Sequence, residues 1–245
     1  MKRIAIAVLT ATLVTLANRP ATSVEASGSA VQAQAPDLAK LEEALSAAPD
    51  DLKAGNDYRM AIIPANAYDR AIAFFQKLVT ANPNAANAHL NYGFAYVDKI
   101  PAAGAITQVI LANNALGEFT KSLEIKPSWI GLYTRGNSYL FWPRIFNRTN
   151  LGLADLNEAL KMQKADSKRP HYVRVYVALG DGHWKNDDFV AAANVWRDGL
   201  VQYPDNAALK ARLSKQGDDL KALIEAGYDP AKRVDTSLQD LWTNQ

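Results

Sequence analysis

Cysteine is absent from the 245 residues, and histidine and methionine number three each. The chain therefore has no disulfide framework, no thiolate metal site and no cysteine to take a lipid. An excess of one charge is missing too, since 27 Lys and Arg face 25 Asp and Glu. Without residues 1–33, which hold Lys2, Arg3, Arg19 and Glu25, the formal charge is zero. Such a balance gives no electrostatic pull toward nucleic acid or an anionic membrane, and no run of Lys or Arg occurs. No stretch alternates polar and apolar residues over the length of a strand, which points to an all-α fold. There is no G-x-S-x-G, no H-E-x-x-H, and Gly180-Asp181-Gly182 is too short to cradle phosphate. Asp181, His183, Asp187 and Asp188 are acid and imidazole neighbours, but Asp187-Asp188 reads as a helix cap, and a metal needs three or four ligands at one point. The expectation is a protein without catalytic residues, metal or cofactor.

The leader is the first feature present. Lys2-Arg3 precedes an uncharged run from Ile4 to Ala17, shorter than the roughly 20 residues a membrane span needs. Small-x-small sites at Val24-Glu25-Ala26 and Val31-Gln32-Ala33 follow, the layout of a cleavable secretory signal. Residues 1–33 are thus expected to be signal and lead-in. The mature chain is expected in a periplasm or secreted, and not in the membrane after cleavage.

From Val173 to Asn206 the sequence reads VRVYVALGDGHWKNDDFVAAANVWRDGLVQYPDN. Tyr176, Leu179, Gly180 and His183 share one helical face, Asn186-Asp187-Asp188 can cap a second helix, and Pro204 stops that helix. Ala192 and Trp196 lie on its stripe, with Gly180, Ala192 and Gly199 placed where two antiparallel helices would approach closely. Ala71, Phe75 and Pro83 repeat the Ala-x3-aromatic…Pro pattern, as do Ala115, Phe119 and Pro127. A third copy runs through Gly136, Tyr139, Gly152, Leu156 and Ala159, with Arg135 where a leucine is expected. The spacing W/Y-x2-L-G-x2-Y…A-x3-F…P resembles the tetratricopeptide repeat. The resemblance implies an all-α, right-handed solenoid of antiparallel helix pairs, with units near 50–84, 86–128, 129–165 and 173–206. The whole repeat domain is expected over 37–228. Helices after Pro204 alternate Lys or Asp with Leu, Ala or Ile, as a capping region (207–228) should. A polar tail, 229–245, closes the chain, with Leu238, Leu241 and Trp242 able to pack back.

In proteins with this repeat, the first helix of each pair lines a concave groove. On that phase the groove-facing places are Asn56 and Arg59, Asn91 and Phe94, Tyr133 and Asn137, then Arg174, Asp181 and Trp184. Asparagine amides can pair with a peptide backbone and arginine can grip a carboxylate. The resemblance extends to the two asparagine places of the family's carboxylate clamp, Asn56 and Asn91. The basic places of that clamp hold Leu52, Ile130 and Thr134, so the clamp is incomplete. The alternative for these polar residues is an ordinary solvated helix face.

Two insertions interrupt the repeats. One, apolar, spans 100–111; the other places Trp142, Arg144, Phe146 and Arg148 in a connection. Large apolar side chains in a loop either fold over the protein's own core or meet a partner. Two functional readings follow. In one, a scaffold binds another protein or an extended peptide in its groove. In the other, a small-molecule carrier has a pocket roofed by the insertions. Groove shape separates them: an open trough along Asn56, Asn91 and Asn137 suits the first, a roofed cavity the second.

Overall fold

The structure is a computed structural model that describes residues 37–242; the export signal read in residues 1–33 lies outside them. Eleven α-helices and no strand occur among the described residues. A leading helix α1 (Leu38–Ala47) precedes the pairs α2 (Leu52–Ala65) with α3 (Tyr68–Ala81), α4 (Ala86–Lys99) with α5 (Ala105–Ile125), α6 (Trp129–Tyr139) with α7 (Thr149–Lys164), and α8 (Val173–Lys185) with α9 (Phe189–Gln202). Helices α10 (Ala207–Ser214) and α11 (Gly217–Gly227) follow. Each pair packs on the next through α3 on α4, α5 on α6, α7 on α8 and α9 on α10, while α2 also meets α4. This is the stacking of a helical solenoid.

Short polar side chains start five of the helices. Asp37, Asp51, Ser128, Asp188 and Asn206 each accept a backbone N–H from the first turn, at 3.0–3.1 Å. These bonds satisfy donors that have no partner inside the helix. Asp187, just before α9, sits at φ +63° and makes the sharp turn between α8 and α9.

The repeated small-x3-aromatic pattern is the core. Ala71, Phe75, Ala115, Phe119, Leu156, Ala192 and Trp196 are all buried. Close helix approach depends on glycine at two matched places. A Cβ on Gly93 would stand 2.3 Å from the Phe119 ring, and one on Gly180 would stand 2.2 Å from the Trp196 indole. Arg135, in the leucine position of the weakest copy, is neutralised by Asp155, to which its Nε and Nη2 donate at 2.7 and 2.8 Å.

The insertion at 100–111 is mostly helix rather than loop. After one 3-10 turn (Ile100–Ala102), α5 starts at Ala105 and runs on through the insertion into the repeat helix proper. The cause is local: beyond Gly104 the segment AITQVILANN has no glycine or proline to stop propagation.

Candidate binding groove

The groove-facing helices bring Asn56, Arg59, Asn91 and Asp98 together at one station. Asn91, Phe94 and Asp98 fall at i, i+3 and i+7 of α4, on one face. The Arg59 guanidinium is completely buried and distributes its donors among different residues. Nε donates to Asn91 Oδ1 at 3.0 Å, Nη1 to Asp98 Oδ2 at 2.9 Å, and Nη2 to Asn56 Oδ1 at 3.2 Å. Its plane also lies 4.6 Å from the centre of the Phe94 ring. Burial pulls the Arg59 pKa down, with Asp98 opposing.

The groove is not an open trough along Asn56, Asn91 and Asn137: Asn56 and Asn91 are buried, and what covers them is the chain's own tail. Arg59 Nη2 donates to the backbone carbonyl of Thr236 at 2.8 Å, and the Thr236 hydroxyl donates to the second oxygen of Asp98 at 2.5 Å. Residues 233–238 are non-helical and are anchored at both ends. Arg233 donates to the Tyr68 hydroxyl at 2.6 Å. Leu238 is buried at 3% exposure in a cluster with Phe94, Trp129, Ile130 and Val175. It does so at φ +52°, a left-handed backbone that costs a branched side chain about 1–3 kcal/mol and is offset by the apolar burial. Further on, Asp240 pairs with Arg174 at 2.7 Å, and its carbonyl faces His171 Nδ1 at 3.0 Å. Burial holds the His171 imidazole below its ordinary pKa, so Nδ1–H donates as part of a neutral ring. Trp242 ends the described chain against Lys53.

The other groove places are distributed. Tyr133 stacks on Trp129 at 5.3 Å. Asp181 is fully buried, but its partner is the cap: Arg212 Nε and Nη2 donate to its two oxygens at 2.5 and 2.7 Å, and the Tyr228 hydroxyl adds a bond at 3.2 Å. Trp184 packs, half-buried, beside Phe189. Asn137 lines a cavity of about 690 Å³ bounded by α4, the start of α5, α6, the second insertion and tail residues 230–238.

The second insertion folds largely onto the protein. Trp142 is buried, edge-on to Phe146 and covered by the Arg148 guanidinium at 3.7 Å. Arg148 also donates to Asn113 at 3.0 Å, which ties the two insertions together, and Arg144 pairs with Asp187 at 2.6 Å. Phe146 and Ile145 stay exposed.

Sequence reasoning missed Asp98, Thr236 and Asp240, whereas Leu238, expected as a tail residue able to pack back, does so. Asp98 had a signal, since it lies two helical turns beyond Asn91; the tail residues follow no period. Among the described residues no cluster of His, Asp or Glu is arranged to hold a metal, and no helix is long and apolar enough to cross a membrane.

This architecture is similar to that of TTC0263, a thermophilic TPR (tetratricopeptide repeat) protein of Thermus thermophilus. The two share 19% identity and a TM-score of 0.54, over 72% of this chain and 87% of that one. It is also similar to YrrB, described as a TPR protein with an unusual peptide-binding site, at 16% identity and a TM-score of 0.50, over 84% of this chain and 90% of that one. The chain thus has the tetratricopeptide-repeat fold, an all-α helical scaffold. No protein-family model and no curated protein matches it.

Proposed function

We propose that the chain is a non-catalytic scaffold, exported by way of residues 1–33, whose front groove holds a peptide segment of a partner protein. One observation supports the reading above others: a non-helical segment already lies in the groove with its main chain read by Arg59 and its hydroxyl by Asp98. Main-chain contact supplies affinity and a side-chain pocket supplies selectivity, which is how peptide grooves work. Here the pocket is the one filled by Leu238. The peptide-binding site named for YrrB, on the same fold, points the same way.

A tethered tail competes at an effective concentration of order millimolar, so a partner must outbind it or the tail must be loosened. The test uses the full-length chain with Thr236→Ala and Leu238→Asp, and a fluorescent peptide of residues 229–242. Saturable binding to this variant, at least tenfold tighter than to the wild type, is expected by anisotropy. A folded variant that takes up no peptide would remove the reading. Export is tested separately by the intact mass of the protein from the host envelope, where an uncleaved N-terminus counts against it.

A further inference from the structure

The cavity behind the tail differs in kind from the peptide station, although the seated tail forms one of its walls. Its walls are mainly apolar: Phe94, Val97, Ile130, Phe141, Trp142 and Leu238 among others. Its volume, about 690 Å³, is that of a small-molecule site. Of the charged side chains in the wall, Asp98 has Arg59 and Arg174 has Asp240, while Asp235 accepts from the Ser237 backbone. Arg233 is held by the Tyr68 hydroxyl and ring, and Lys232 is 63% exposed with Asp229 at 3.9 Å. Gln108 likewise uses its amide on the Ile100 and Ala103 carbonyls. The exceptions are the Asn137 amide and the Thr134 hydroxyl, one turn apart on α6, with no hydrogen-bond partner among the described residues. At the mouth, Val109 and Phe146 belong to the wall yet are half-exposed, and Ile106 and Ile110 extend the α5 stripe outward at 82% and 53% exposure. An aliphatic rim of this kind is costly in water unless something apolar passes over it or rests on it.

We propose that this cavity binds a neutral, largely apolar small molecule with one hydroxyl or carbonyl group, which Asn137 takes with its free amide. An anionic head would have to leave its charge in the apolar part of the cavity, because Arg174 is paired with Asp240, Arg233 is held by the Tyr68 hydroxyl and Lys232 is 63% exposed beside Asp229, and burying an unpaired charge is strongly unfavourable. A head with one donor or acceptor matches these unmatched groups on α6, of which the Asn137 amide offers both a donor and an acceptor. The molecule enters across Ile106, Val109, Ile110 and Phe146.

The test is displacement of N-phenyl-1-naphthylamine from the full-length protein, with intrinsic tryptophan fluorescence, compared between the wild type and Trp142→Phe, as a second readout. Saturable probe binding is expected, with 1-decanol displacing the probe at least tenfold more effectively than decanoate. Asn137→Leu is expected to weaken decanol by roughly fivefold, the worth of one hydrogen bond. Ala112→Trp, which fills the cavity, and Val109→Asp, which charges the rim at a half-exposed site, are expected to abolish probe binding. Circular dichroism melting identifies which of these variants fold. If the wild type binds no probe saturably, or both folded variants bind it unchanged, the site is wrong. Decanoate displacing as well as decanol would overturn the neutral head group, and an Asn137→Leu variant with unchanged decanol affinity would overturn the role of the amide.

Discussion

Two buried arginine–aspartate pairs sit at opposite ends of the groove, and they are built differently. At the rear, Arg212 gives two parallel hydrogen bonds to both oxygens of Asp181, and Tyr228 closes the remaining side. At the front, Arg59 gives only Nη1 to Asp98, leaving the other carboxylate oxygen and part of Nη2 for Thr236. The rear pair is complete by itself and joins α8 to the cap. The front pair is complete only when a carbonyl and a hydroxyl arrive from elsewhere. Geometry at the guanidinium, more than the presence of charge, separates a structural lock from a reading station.

The largest effects should come from unpairing either site. Arg59→Met and Arg212→Met each leave a buried carboxylate without its cation, which costs about 3–5 kcal/mol; urea unfolding measures it. The comparison is broken if both variants behave alike in hydrogen exchange. Residues 233–242 should lose protection in Arg59→Met and keep it in Arg212→Met.

Leu238→Ala comes next, at about 2–3 kcal/mol, the lower part of the usual range because a tail can close part of the hole. Exchange should again rise in the tail and stay unchanged around Asp181. Gly93→Ala and Gly180→Ala then form a matched pair. Each adds a methyl group against a buried ring and should cost about 1–3 kcal/mol. Similar losses in both would show that packing within pairs is the same front and rear, and that the tail alone makes the difference.

The smallest effect is that of pH. Because burial depresses the His171 pKa below its ordinary 6.5, the unfolded chain binds that proton more readily than the folded one. The contribution of His171 is therefore present above pH 6.5 and is lost as pH falls toward the folded value, at no more than about 1.4 kcal/mol per pH unit. Thermal melts at pH 7.5 and 5.5 should differ. His171→Gln, which can still donate to the Asp240 carbonyl, should reduce the difference.

Much of the fold was legible because one constraint repeats. Wherever two antiparallel helices touch, a small residue must face a large one, so Gly93 with Phe119 and Gly180 with Trp196 mark the pairs in the sequence itself. Asn56, Arg59 and Asn91 could be placed on groove-facing helices by phase, and in the structure they share hydrogen bonds. The origin of their remaining partner was not legible. Residues 229–242 are polar and aperiodic, and their position depends on contacts with α2 and α4, more than a hundred residues away. Nor did Asp181 reveal its partner, since Arg212 reads in sequence as one more cation on a solvated capping helix. The segment after Gly104 looked like a connection because the repeat pattern has no place for it, whereas its composition favours the helix it forms.

The bond from Arg59 to Thr236 spans 177 positions of sequence, and that from Tyr68 to Arg233 spans 165. In a linear array each unit touches only its neighbours, so the ends fray and the middle can melt on its own. Fastening the last segment to the first pair turns the row into a ring of dependencies. Loss of the front unit releases the tail, and release of the tail uncovers the middle. Such a chain should unfold in one sharp transition where an open array of the same length would melt in stages. It should also fold more slowly, since its final contact joins residues far apart in the sequence.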